Sequence, residues 1–258
     1  MVGRVEVAVA ERGALGRVAT ITVDNPGKLN IVDPAAIAAL EAAVVKLGED
    51  GKLRALVLRG AGDKAFIGGA DIRAMATLDP ESARRFLSAL HRACDSLRRL
   101  PVPAIARIEG FALGAGLEIA ASCDLRVAAE GARFGMPEVR VGIPSVIEAA
   151  LLPQLIGWGR TRRLLYTGEI IGSAEAERWG LVERVVPPQA LDAAVEEWLD
   201  AILAAGPNAM RLQKKLIGDW EELATGAAIR RGIDAFAAAY ETDEPRERMA
   251  AFLRRKRS

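Results

Sequence analysis

Residues 103–144, reading PAIARIEGFALGAGLEIAASCDLRVAAEGARFGMPEVRVGIP, constrain the fold more than any other part of the chain. The apolar run at 104–108 has the character of a buried strand, a glycine-rich turn spans 110–116, and an apolar helix follows that carries one charge, Glu118. A carboxylate flanked by Leu117 and Ile119 is costly to ionise away from water. It must be paired, solvated by a cleft or held partly protonated, and these are the conditions under which a side chain serves as a general acid or base. A second carboxylate, Glu138, follows Phe134-Gly135-Met136-Pro137, where the proline breaks regular structure and fixes the approach of the chain. Two carboxylates in apolar surroundings, with a glycine-rich turn ahead of the first, point to proton-transfer chemistry.

The order strand, turn, helix start occurs twice. Residues 53–59 lead through a glycine turn to 66–71, and 104–109 lead to 114–122, which predicts repeated ββα units rather than a solenoid with a measurable sequence period. Small residues at a helix start leave the first backbone N–H groups pointing unobstructed at an incoming oxygen, so two such turns can converge on one atom. Upstream, 5–10 and 17–23 read as an antiparallel hairpin around Gly13 and Gly16. Asn25-Pro26-Gly27 is a turn, and Asp33-Pro34 starts a helix with aspartate as N-cap. Asp124, just before a strand at 125–129, reads as a structural cap or ion-pair partner. Ser145 with Glu148 three residues on reads as a capping box, which we prefer to a third acid in the site. From Gly159 the pattern is helical at 160–166, 173–179 and 189–204, with a short strand at 181–186. Residues 208–257 read as two or three amphipathic helices broken near Gly218 and Asp243-Glu244-Pro245.

Composition removes several function classes. A net charge of +1 supplies no global field for nucleic acid or an acidic membrane. His91 is the only histidine, which excludes clustered-histidine zinc sites; it lies on an arginine-rich helix at 80–99 and reads as an exposed helical side chain. Cys94 and Cys123 sit in apolar helical patterns and read as buried free thiols, which fits a reducing compartment. Charges at Arg4, Glu6, Glu11 and Arg12 come too early for a signal peptide, and every apolar run is interrupted before it reaches membrane-spanning length. The expectation is a soluble, cytoplasmic protein with no nucleic-acid or membrane partner.

Three segments, Phe66-Ile67-Gly68-Gly69-Ala70-Asp71-Ile72, Gly110-Phe111-Ala112-Leu113-Gly114-Ala115-Gly116-Leu117-Glu118 and Phe134-Gly135-Met136-Pro137-Glu138, resemble the signature segments of the crotonase (enoyl-CoA hydratase/isomerase) superfamily. Their order and spacing agree as well. Similarity continues through Leu165-Tyr166-Thr167-Gly168-Glu169, Ser173-Ala174-Glu175-Ala176, Trp179-Gly180-Leu181-Val182 and the tail at 243–256, so it covers nearly the whole chain. Any one glycine-rich piece alone would carry little weight.

The resemblance implies an α/β, crotonase-like fold of repeated ββα units forming a spiral core over 1–200, with a C-terminal α-helical oligomerisation region over 201–258. It implies that the backbone N–H groups of Ala70 and Ala115 form an oxyanion hole for a thioester carbonyl and that Glu118 and Glu138 are the catalytic acids. Substrate contacts are implied for Lys28, Leu29, Gly68, Asp71, Ile72 and Gly114, with Lys28 and Leu29 near the adenosine end of coenzyme A. Basic residues of the tail, Arg254-Arg255-Lys256-Arg257, would reach the coenzyme A phosphates. The superfamily's more usual Gly-Gly-Gly is here Gly114-Ala115-Gly116, a tolerable change because the donor is backbone. Residues 142–148 depart from its Pro-x-x-Gly-Gly in the region that walls the acyl pocket, so chain-length preference does not carry across. The implied activity is addition of water across a 2-enoyl-CoA, without metal or redox cofactor and with coenzyme A entering only as part of the substrate, by a homotrimer or a hexamer of paired trimers. The alternatives are a Δ3,Δ2-enoyl-CoA isomerase, which uses the carboxylate at Glu138 without the one at Glu118, and a binding member of the fold without turnover, with RNA affinity. Having both carboxylates favours hydration, and near-neutral charge argues against RNA.

Overall fold

The computed structural model describes residues 4–255, and in it the chain lays down two sheets by turns. Its strands are β1 (Arg4–Glu11), β2 (Arg17–Asp24), β3 (Leu53–Gly60), β4 (Ala65–Ile67), β5 (Ala104–Ile108), β6 (Phe111–Leu113), β7 (Leu125–Ala129), β8 (Arg133–Gly135), β9 (Ile170–Gly172) and β10 (Arg184–Val186). The helices are α1 (Pro34–Gly48), α2 (Ile72–Met75), α3 (Pro80–Arg99), α4 (Ala115–Ala121), α5 (Leu152–Thr167), α6 (Ser173–Trp179), α7 (Leu191–Ala204), α8 (Pro207–Glu222), α9 (Thr225–Ala239) and α10 (Glu244–Arg255). The larger sheet has the order β1-β2-β3-β5-β7-β10 and the smaller β4-β6-β8-β9. In the ββα units that begin at β3 and at β5, the first strand joins the larger sheet and the short second strand the smaller one, so the chain advances as a spiral. This is the expected ββα architecture.

The hairpin at the edge is antiparallel from Arg4↔Asp24 to Glu11↔Arg17. From β2 to β10 the larger sheet is parallel. Parallel strands covered on both faces read as near-continuous apolar runs, and every residue of β5 is buried, its one charged residue Arg107 included. In β3 the two-residue period of a strand sorts the side chains. Leu56 and Leu58 join a core with Ile37 and Leu40 of α1 and Leu90 and Leu97 of α3, whereas Ala55 and Val57 join a second core with Leu191, Val195 and Leu199 of α7. Asp33 caps α1 by accepting from the Ala36 N–H at 2.9 Å, with Pro34 at the first position, as the sequence predicts. Both cysteines are buried and free.

Several boundaries differ from expectation. Gly218 does not break a helix: α8 runs through it to Glu222, and the corner falls at Leu223 and Ala224. There the Trp220 indole N–H donates to the Ala228 carbonyl at 3.1 Å, and Arg231 pairs with Asp219. The strand expected over 181–186 is confined to Arg184–Val186, and α5 starts earlier than Gly159, with a kink at Gly157 (φ 76°). Ser145 and Glu148 do not form a capping box: the 3-10 turn Ile147–Leu151 starts after Val146 with no side-chain cap. Both side chains are engaged elsewhere. No described helix is long and apolar enough to cross a membrane.

Asp124 is structural, as expected. Its carboxylate accepts from the Ala104 N–H and takes the Lys214 ammonium at 2.6 and 2.7 Å, which ties α8 to the strands carrying the site. The lysine side chain is only 8% exposed, so removing it strands a partly buried charge. Because Asp124 keeps some solvent and one N–H donor, Lys214→Ala is expected to cost roughly 1–3 kcal/mol, less than a fully buried pair. Urea denaturation measures this, and Lys214→Met combined with Asp124→Asn should recover part of the loss. Equal stability of Lys214→Ala and wild type would remove the pair from the account.

Candidate active site

The start of α4 organises the site. Gly114 holds φ 51° and ψ −122°, a conformation open to glycine alone, and its carbonyl accepts from the Leu117 and Glu118 N–H groups. A Cβ at Gly114 would collide with Oε1 of Glu138, and one at Gly116 with the Ile67 carbonyl. These close approaches seat α4 directly against β4 and bring the turn at Gly68 and Gly69 beside it. That turn is bonded to the 29–32 segment: Gly68 N–H donates to the Leu29 carbonyl, Val32 N–H to that of Gly69 and Asp71 N–H to that of Val32. Among the described residues, neither the Ala70 nor the Ala115 N–H has a protein acceptor. Both residues line one cavity of about 490 Å³.

The same cavity gathers Gly68, Ile72, Gly114, Glu118 and Glu138. Its apolar wall comes from Met75, Leu78, Phe86 and Leu87 on one side and Val141 and Ile143 on the other. Three other sequence candidates lie outside its lining. Lys28 and Leu29 are exposed on the neighbouring turn, where the Leu29 carbonyl supports Gly68, and the Asp71 carboxylate accepts from the Arg73 N–H to cap α2. Arg254 is exposed, whereas Lys256, Arg257 and the side chain of Arg255 lie outside the described residues. Among the described residues, no group of three or more His, Cys, Asp or Glu side chains is placed to hold a metal ion.

Two contributors were not read as parts of the site. Ser145 donates from Oγ to Oε2 of Glu138 at 2.9 Å and so orients that carboxylate, an arrangement made across the turn at Gly142 rather than along a helix. The α3 wall was legible in principle, since Ala83, Phe86, Leu87 and Leu90 form an i, i+3, i+4, i+7 stripe. His91, expected to be simply exposed, is half-exposed and its Nδ1 lies 2.7 Å from Oε1 of the buried Glu148.

Glu118 is 5% exposed. Its Oε1 accepts from the Ala149 N–H at 3.3 Å, a proton shared with the Val146 carbonyl at 2.9 Å. Burial pushes its carboxyl up to about 8; the charge of Glu138 pushes the same way, the Ala149 N–H opposes, and Glu148 adds a smaller push upward. A carboxyl protonated at neutral pH beside a second carboxylate makes a donor and acceptor pair for protons on one cavity. The folded state therefore binds this proton more tightly than the unfolded state, where the ordinary value is 4.5. The resulting stability is complete below about pH 4.5 and is lost as pH rises through about 8, on the order of 5 kcal/mol across that window. Glu118→Gln is expected to flatten the fall in Tm between pH 5 and 9 and to melt several degrees above wild type at pH 9, by scanning calorimetry across pH. Parallel Tm profiles would refute the assignment.

The enoyl-CoA hydratase/isomerase family profile matches residues 14–258. The crotonyl-CoA hydratase of Syntrophomonas wolfei is 35% identical over 243 residues, covering 94% of each chain. The short-chain-enoyl-CoA hydratase of Clostridium acetobutylicum is 34% identical, covering 94% of this chain and 93% of its own. Among solved structures, an enoyl-CoA hydratase from Mycobacterium smegmatis superposes with a TM-score of 0.91 at 32% identity, and one from Bacillus anthracis with 0.90 at 32%, each covering 96% of both chains. With this fold, these two carboxylates and matches along nearly its whole length, the chain belongs to the enoyl-CoA hydratase/isomerase family.

Proposed function

We propose that this protein is a cytoplasmic enoyl-CoA hydratase that adds water across the double bond of a 2-enoyl-CoA. The observation that carries the reading is the pair Glu118 and Glu138, set on different elements yet lining one cavity whose rim holds two N–H groups without protein acceptors. The N–H groups of Ala70 and Ala115 receive the thioester carbonyl oxygen, on which negative charge builds as the β-carbon is attacked. Glu138, held by Ser145, takes a proton from the attacking water, and the protonated Glu118 delivers one to the α-carbon. The reaction so written uses no metal or redox cofactor; coenzyme A enters with the substrate, with Lys28 and Leu29 near its adenosine end and Gly68, Asp71, Ile72 and Gly114 along its path.

Turnover of a panel of enoyl-CoA thioesters, followed by loss of the conjugated enone absorbance, tests the reading. The names of the relatives place short chains first in that panel. Crotonyl-CoA should be hydrated. No loss of absorbance with any 2-enoyl-CoA, alongside conversion of a 3-enoyl-CoA, would replace hydration by isomerisation. Acetyl-CoA should bind in calorimetric titration.

The helical region 201–258 is read as the oligomerisation segment of a homotrimer, or of a hexamer of paired trimers. What supports this is that α9 buries none of its side chains and presents Ile229, Ile233 and Phe236 to solvent, with Met249 and Leu253 exposed on α10. Light scattering at micromolar concentration should give a trimer or hexamer mass; a fully active monomer would exclude it.

A further inference from the structure

Glu148 is a buried carboxylate that the proposed reaction leaves unused. It is 3% exposed, deeper than Glu118 itself, and sits on the 3-10 turn Ile147–Leu151, which packs against both α3 and α4. Oε1 meets Nδ1 of His91 at 2.7 Å, and Oε2 is buried with no hydrogen-bond partner among the described residues. As a stabilising device this is poor design, because a carboxylate oxygen without a partner keeps its full desolvation cost and an apolar side chain would fill the space more cheaply. Buried polar groups left so arranged call for a functional account. The turn is itself strained: Ile147 takes φ 39°, which a β-branched residue rarely adopts and which persists only where its surroundings impose it. One residue beyond Glu148, the Ala149 N–H reaches Oε1 of Glu118.

We propose that His91 and Glu148 form a positioning pair which clamps the 147–151 turn to α3, and so aims the Glu118 carboxyl through Ala149. The inference rests on the hydratase reading and adds to it two residues that touch neither substrate nor reacting atoms.

The pair also acts through charge. Glu118 faces Glu138 on the cavity, Glu148 from the turn, and Cys94 on α3; Glu148 in turn faces His91, Cys94 and Arg98 on α3. Glu148 helps to hold the proton on Glu118, and its charge also acts on the Cys94 thiol, which is pushed up mainly by burial. Neutralising Glu148 therefore makes Glu118 lose its proton at lower pH. Removing His91 instead frees the clamp without deleting the Glu148 carboxyl group itself.

The test measures kcat, KM and the pH profile of hydration for Glu148→Gln, His91→Ala and His91→Asn. Asparagine keeps a polar group close to where Nδ1 stands. His91→Ala is expected to lower kcat about tenfold with KM changed less than about twofold, and His91→Asn to restore most of it. Glu148→Gln is expected to move the alkaline limb to lower pH by about half a unit. A merely structural pair would lower Tm and leave kcat and the limb where they were, and that result overturns the proposal. His91 is half-exposed, so its variants keep the test valid should Glu148→Gln fail to fold. If the wild type hydrates no enoyl-CoA, the hydratase reading fails by itself. The pair is then judged by the carbon-13 carboxyl titration of Glu118, assigned by its absence in Glu118→Gln: a lower midpoint in Glu148→Gln supports the coupling, and an unchanged one in every variant refutes it.

Discussion

Glu118→Gln and Glu138→Gln are each expected to lower hydration by on the order of 10²-fold or more while leaving coenzyme A affinity nearly unchanged. Glutamine preserves the shape of both side chains and their fixed contacts, since an amide oxygen still accepts from the Ala149 N–H at one site and from Ser145 Oγ at the other. What it removes is the ability to take or give a proton. Hydration needs both halves of that exchange, one carboxylate to deprotonate water and one to protonate carbon, so neither variant should be spared. Isomerisation moves a single proton along the substrate and can run on one base. Steady-state kinetics on crotonyl-CoA, beside acetyl-CoA titration, separates these cases. Intact hydration in Glu118→Gln would sink the two-carboxylate mechanism, and loss of double-bond migration in Glu138→Gln alone would put isomerisation in its place. The high proton affinity of Glu118 adds a second expectation: wild-type activity should fall as pH rises through about 8, where the donor loses its proton.

The parts of this molecule that were legible in the sequence are those set by local rules. Strands covered on both faces are nearly all apolar, β5 carrying Arg107 as its one charge, and positions where a Cβ would strike a close neighbour must be glycine, as Gly114 is beside the Glu138 carboxylate and Gly116 beside the Ile67 carbonyl. A lone Glu118 among apolar residues gave away a perturbed acid for the same reason, because burial acts on the group whatever surrounds it later in the fold. What escaped was decided through space. Ser145 and Glu148 have the spacing of a capping box, but Ser145 is drawn to Glu138 across the Gly142 turn and Glu148 to His91 on a helix 57 positions away. Gly218 looked like a helix end, yet it faces open space inside α8, where a glycine costs only about 1 kcal/mol, while packing of Trp220 against α9 sets the real corner. The site's apolar wall was hidden differently: the stripe on α3 that lines the cavity is continuous with the one that fills the core, so pattern alone could not divide it.

Ala115→Pro is expected to lower kcat by about 10²–10³-fold, the cost of deleting one oxyanion donor. Proline is a specific tool at this position. Ala115 is the first residue of α4, where the N–H lies outside the intrahelical ladder and the fixed φ of proline suits the helix start. The preceding residue is Gly114, which lacks the Cβ that makes most residues before proline awkward. The substitution therefore removes one of the two N–H groups proposed to meet the thioester oxygen, and the ring carbon that replaces it also intrudes on that oxygen's place. Ala115→Gly is the matched control, because it changes the side chain, keeps the N–H, and should retain activity close to wild type. Circular dichroism and melting curves establish that both variants fold. A folded Ala115→Pro enzyme within tenfold of wild type would show that no charge of consequence gathers at this N–H. A loss shared equally by Ala115→Gly would trace the effect to packing of the methyl group against the cavity instead.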